Sequence, residues 1–201
     1  MFSFIMYFYG YCLVKILKEN VQKIGEKFVE SVMEAVREKV KQEAIRLIVR
    51  EAALKIAKYL GMMKKEYSVH KEMGVVVREK IDETDKVDIF VIFRPPEWIE
   101  IRSLLASSSE ISREILKECN VLEMLMMLSN DFAELSFCID REGNIFAKQN
   151  ILVGALTFDV FKEEYDAVYV SAVIFRKDVL PKIRKCIKDY EEIKDAYSGI
   201  I

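Results

Sequence analysis

At residue 61 the hydrophobic pattern of this chain changes period, and that change limits what it can fold into. Before it, apolar residues recur every three or four positions: Val14, Leu17, Val21, Ile24 and Phe28, then Val32, Val36, Val40 and Ala44. Such spacing lines one side of an α-helix. No proline interrupts residues 14–60, and Gly25 only weakens the pattern. One long helix is expected there, or two with a break near Gln42, with Gly61 as the C-terminal stop. The first five apolar residues have coiled-coil spacing. The four-residue steps that follow drift against a helix of about 3.6 residues per turn, so a strict coiled coil does not persist. An arm this long must bury its stripe on its own domain or on a second copy.

After residue 61 the apolar residues alternate. Runs 67–73, 75–81, 87–93 and 98–105 are rich in β-branched and aromatic residues and read as strands. Gly74, the Asp82-Glu83-Thr84-Asp85 cluster and Pro95-Pro96 separate them. Residues 109–129 return to helical spacing, opened by Ser109 and Glu110. Residues 133–140 and 144–152 then form a hairpin around Glu142-Gly143. Thr157 caps a closing helix, which Pro181 kinks or divides. The expected fold is α+β, an antiparallel sheet packed with helices and preceded by a long N-terminal helical arm. The expected division is 1–60 for the hydrophobic terminus and basic amphipathic helix, and 61–201 for the α+β domain.

Charge divides along the same line. Residues 15–66 carry 13 Lys/Arg against 8 Asp/Glu, and residues 67–201 carry 18 against 25. The first fourteen residues, MFSFIMYFYGYCLV, are uncharged and aromatic-rich. They are too short for a membrane span, which needs about 20 apolar residues, and they lack the basic start of a secretory signal. Either they pack as core or they touch a membrane surface. Four dispersed cysteines (Cys12, Cys119, Cys138, Cys186) without a C-x-x-C motif read as free thiols in a reducing, cytoplasmic setting.

No catalytic constellation emerges. His70 is the single histidine, too few for a multi-His metal site. Ser107-Ser108-Ser109 is explained by capping. The carboxylates Asp159/Glu163 and Glu191/Glu192/Asp195 read as solvated helix faces. There is no glycine-rich phosphate loop. Two features suit binding. Met124, Met126 and Met127 share a segment with Leu122, Leu125 and Leu128, so that helix is apolar nearly all round. Trp98, the only tryptophan, sits at a turn.

The helix end and hairpin LSNDFAELSFCIDREGNIFAKQNILV at 128–153, followed by ALTFDVFKEEYDAVY at 155–169, resemble the type III secretion chaperone-like fold, and within it the YbjN-like family. In such proteins a helix ends near an Asn, here Asn130. A strand, an acid-plus-Gly turn and a return strand follow, and a Leu-Thr pair, here Leu156-Thr157, starts the closing helix. The resemblance covers roughly residues 45–185; residues 1–44 have no counterpart, and Pro95-Pro96 is not a family feature. It implies a non-enzymatic, cofactor-free domain, often dimeric, that binds other proteins. The expected function is therefore a chaperone-like protein-binding module, dimeric through its N-terminal helix. The alternative is a peripheral membrane protein anchored by residues 1–14 and the basic helix. Expected partner-contacting residues are Val14, Leu17, Val21, Ile24, Phe28, Trp98, Met124 and Met127. The aromatics of the basic arm are too sparse for a nucleic-acid partner.

Overall fold

The computed structural model describes residues 2–70, 74–94, 96–132 and 134–198; the side chains of residues 1–21, 24, 25, 191 and 193–201 lie outside that description. A helix, α1 (Phe2–Met62), leads into four strands: β1 (Tyr67–His70), β2 (Gly74–Lys80), β3 (Lys86–Arg94) and β4 (Trp98–Ala106). Two short helices follow, α2 (Arg113–Glu118) and α3 (Val121–Asp131), then the hairpin β5 (Phe137–Ile139) and β6 (Ile145–Leu152). The chain closes with α4 (Phe158–Ile174) and α5 (Leu180–Ser198). The strands form one antiparallel sheet in the order β1-β2-β3-β4-β6-β5. This is the α+β architecture expected from the switch in hydrophobic period.

The chain comprises two compact units, divided between Leu47 and Ile48. The first is helical, with no break near Gln42, whose amide donates to Glu38 Oε1 at 2.8 Å. Phe28, Val29, Val32, Met33, Val36, Val40 and Leu47 are exposed along it.

In the second unit the last turns of α1 bury Ala52, Ile56 and Leu60, at four-residue steps, in the core. The helix does not stop on Gly61. Its terminus is a Schellman motif: Lys65 N–H donates to Leu60 O at 2.9 Å and Lys64 N–H to Gly61 O at 3.0 Å. Lys64 takes the left-handed conformation (φ 56°) that a glycine would adopt without strain.

Alternation along the strands puts one face of the sheet inside. Val75, Val77, Val87, Ile89, Val91, Ile99, Ile101, Ile145, Ala147 and Ile151 belong to the core cluster, together with Phe161, Tyr165, Val168 and Ala172 of α4. Thr157 caps α4 as expected, its hydroxyl accepting from Val160 N–H at 3.3 Å. The β5–β6 hairpin turns through Gly143 at φ 94°, and Asp140 Oδ1 accepts from Glu142 N–H and Asn144 N–H.

Three local expectations are corrected. Ser109 does not open a helix. Residues 107–110 form a turn in which Glu110 Oε2 accepts from Ser107 N–H at 2.8 Å, and the true cap is Ser112, accepting from Ile115 N–H. Helix 109–129 is two helices, because Asn120 adopts φ 48° between them. That turn lets Leu116 of α2 and Val121 and Leu125 of α3 all reach the core. The expected strand 133–140 shortens to β5. At the far end, a π-helical turn (Phe175–Val179) joins α4 to α5 just before Pro181. Pro181 has no N–H for a regular helical bond and its ring crowds the preceding turn, a conflict that a wider turn relieves.

The reading of four free thiols is also corrected. Cys119, after α2, is disulfide-bonded to Cys186 of α5, with Cα atoms 5.9 Å apart and a separation of 67 positions in sequence. Cys138 is free, and the side chain of Cys12 lies outside the described residues. With two of the four cysteines bonded to each other, the cysteines no longer point to a reducing compartment. The bridge constrains a long loop of the unfolded chain.

Two stability tests follow from these features. Lys64→Gly is expected to raise stability by about 0.5–1 kcal/mol in urea unfolding, because it relieves a left-handed non-glycine residue. Reducing the Cys119–Cys186 bond is expected to lower stability by about 2–4 kcal/mol, read as a fall in melting temperature on adding reductant. Cys186→Ser should then melt at the reduced value and ignore reductant.

Candidate protein interface

The same alternation that fills the core leaves a second sheet face. Opposite the inward residues stand Val76, Arg78, Asp88, Phe90, Ile92, Arg94, Trp98, Glu100, Arg102, Leu104, Phe146, Lys148 and Leu152. None of these belongs to the core cluster, although Ile92 is only 8% exposed. Trp98, Leu104 and Leu152 are exposed.

Glu100 lies at the centre of this face, 5% exposed. Its carboxylate meets Lys148 Nζ at 3.0 Å, Arg102 Nη1 at 3.3 Å and Arg94 Nη2 at 3.4 Å. Burial alone would raise its pKa. Hydrogen bonds from Lys148 and Arg94, with their charges, outweigh burial and hold it below the ordinary Glu value. Arg102 also lies over the Phe146 ring at 5.3 Å. Beside them Arg78 grips Asp88 with two bonds, at 2.7 and 3.0 Å.

A second apolar surface surrounds α3. Leu122, Met126 and Met127 are exposed, while Leu125 is buried. Between α3 and β5 lies a groove of about 660 Å³ lined by Leu122, Leu125, Met126, Ser129, Asn130, Phe137, Cys138 and Ile139.

The residues expected at a partner contact are thus distributed over three surfaces. Trp98 (44% exposed) is on the bare sheet face. Met127 is exposed on α3, whereas Met124 packs partly on the core. Phe28 (68% exposed) lies on the helical unit. The side chains of Val14, Leu17, Val21 and Ile24 fall outside the described residues. Met126, more exposed than Met127, was named in the methionine cluster but not among the expected contacts, and the cationic group around Glu100 was not singled out in the sequence. The available signal was the recurrence of Lys or Arg at outward strand positions.

Groups with chemical potential are otherwise engaged in structure. Ser107 and Ser109 share a hydroxyl contact of 2.7 Å, and Ser108 N–H donates to Asn144 Oδ1. Tyr165, buried, donates to Glu79 Oε1 at 2.6 Å, and Lys65 Nζ meets the same oxygen at 2.6 Å. Burial and Glu79 push the Tyr165 phenol far above its usual range. His70 is exposed on β1. Among the described residues no group of three His, Cys, Asp or Glu is placed to hold a metal ion. No described helix is long and apolar enough to cross a membrane.

No family model and no curated protein matches this chain. Solved structures do. The ExsC–ExsE complex is 14% identical, covering 65% of this chain and 94% of that one, with a TM-score of 0.44. An uncharacterized protein from Methanothermobacter thermautotrophicus is 15% identical (67% and 97% covered, TM-score 0.45). YbjN from E. coli, described as a putative transcription regulator, is 11% identical (62% and 90% covered, TM-score 0.39). A type III secretion chaperone in complex with a partner fragment is also similar. The two groups that the hairpin sequence resembles are therefore both among the structures found.

The sign of the Glu100 shift sets a pH test. Its folded pKa is depressed, so its stabilisation is complete above the ordinary value of 4.5 and is lost as pH falls through the folded value. The urea midpoint of the wild type should drop steeply below that pH. Glu100→Gln should cost about 1–3 kcal/mol at neutral pH, because charge-assisted bonds are lost. It should also flatten the acid limb of the stability profile; an unchanged limb would contradict the assignment.

Proposed function

We propose that this chain is a non-enzymatic, chaperone-like protein-binding module that self-associates through its N-terminal helix and holds a segment of another protein on its bare sheet face. One observation carries this reading: apolar side chains including Phe90, Ile92, Trp98, Leu104 and Leu152 share a sheet face, and none of that face contributes to the core cluster. Such a face has the composition of an interface, with aromatic and Arg anchors set among aliphatic residues. Self-association is supported by the exposed stripe from Phe28 to Leu47, which cannot remain in water over many turns without cost.

The full chain at tens of micromolar should scatter light with the mass of a dimer. A monomeric mass would remove the self-association. Trp98, as the only tryptophan, reports occupancy of the face directly. Adding a tryptophan-free, reduced and alkylated unfolded polypeptide should shift its emission to shorter wavelength, and Leu152→Asp should weaken that response at least about tenfold, as for a charge buried in an apolar contact. Flotation of the full chain with anionic liposomes, lost on deleting residues 1–14, would favour the membrane reading instead.

A further inference from the structure

We propose that the bare sheet face takes an amphipathic helix of a partner protein whose apolar stripe is flanked by acidic residues. This rests on the protein-binding reading above and adds the partner's chemistry. Six Lys/Arg occupy outward strand positions, Arg78, Lys80, Lys86, Arg94, Arg102 and Lys148, against two carboxylates, Asp88 and Glu100. Residues 67–201 as a whole have the reverse balance, 18 Lys/Arg against 25 Asp/Glu. The cations are concentrated on the face that does not join the core.

The carboxylates do not satisfy them. Asp88 is taken by Arg78, and three cations share Glu100. Near the β2–β3 hairpin a cavity of about 430 Å³ is bounded by Arg78, Lys86, Phe90 and Arg176. There Arg176 Nε is buried without a hydrogen-bond partner among the described residues. Acids brought by a partner would supply the missing acceptors, which is the arrangement that gives an interface its selectivity.

The apolar part sets the shape. From Trp98 to Leu104 the outward positions of β4 run about 20 Å, the length of about 13 helical residues. A sheet already covered on one side accepts a helix as its next layer. The chain's own basic segment is the wrong sign, with 13 Lys/Arg against 8 Asp/Glu in residues 15–66. Single-stranded nucleic acid also uses cations and open aromatic rings. It fits less well, because Arg102 already covers Phe146 and aliphatic Val76, Ile92, Leu104 and Leu152 hold much of the face.

The test uses fluorescence anisotropy on the full chain. The probes are labelled synthetic helices of about 16 residues with one Leu stripe flanked by Glu, Gln or Lys, and a labelled oligouridine. The Glu helix should bind at least about tenfold tighter than the Gln helix, less tightly as salt is raised, and the Lys helix should not bind. Lys80→Glu with Lys86→Glu, both exposed and remote from the Glu100 ion pairs, should weaken the Glu helix about tenfold. Glu100→Gln should tighten it about threefold by removing a negative charge from the face. Thermal melts confirm that each variant is folded. Equal binding of the Glu and Gln helices overturns the inference and leaves the protein-binding reading standing. Failure of all three helices overturns both. Tighter binding of oligouridine than of the Glu helix overturns it in favour of nucleic acid.

Discussion

Phe161, Tyr165, Val168 and Ala172 of α4 share one core with Ile89, Ile99, Ile101 and Ala147 of the sheet, and the other elements of the second unit arrange themselves around that contact. Burying one face of an antiparallel sheet is enough to hold it. It also commits every strand: a slip of one residue in β3 would exchange Ile89 and Val91 for Asp88 and Phe90. Tyr165 brings a hydroxyl into the apolar layer, and the bond to Glu79, itself paired with Lys65, removes the cost of burying it. One tyrosine thereby joins α4, β2 and the segment just after α1.

The elements legible in the sequence were those with a local cause. Alternation placed β2, β3 and β4 within a residue or two, and Thr157 announced the start of α4. What was not legible had causes distant in sequence or hidden by equal alternatives. Ser109 and Ser112 are equally good caps on paper, and Glu110 decides between them by closing its own turn. Lys64 in a left-handed conformation contradicts the preference that pointed to Gly61. The Cys119–Cys186 pair has no spacing motif, since only the packing of α5 beside the α2–α3 junction brings the two together.

The candidate interface was legible only in part. Trp98 could be named for its place at a turn, and Phe28 as the last residue of the heptad-spaced stripe. Arg94, Arg102 and Lys148 could not, because cations at outward strand positions read as an ordinary solvated face. Only the register shows that the three surround one carboxylate, and only burial shows that Glu100 is almost closed to water. A charge that would be a surface detail on an isolated strand becomes the centre of a face once four strands are aligned.

The π-helical turn at Phe175–Val179 amounts to one residue inserted into an otherwise continuous helix. Everything after it is rotated by about 100° relative to an uninterrupted helix, one residue's worth of turn. With that phase, Val179, Leu180 and Ile183 are all buried, and Cys186 reaches Cys119. The turn acts as a phase adjuster between two helices of fixed length. A lineage that lost one residue here would keep a smooth helix and lose its cross-link. Length variation in this protein's relatives should therefore gather in the loops and avoid the segment between Ile174 and Pro181.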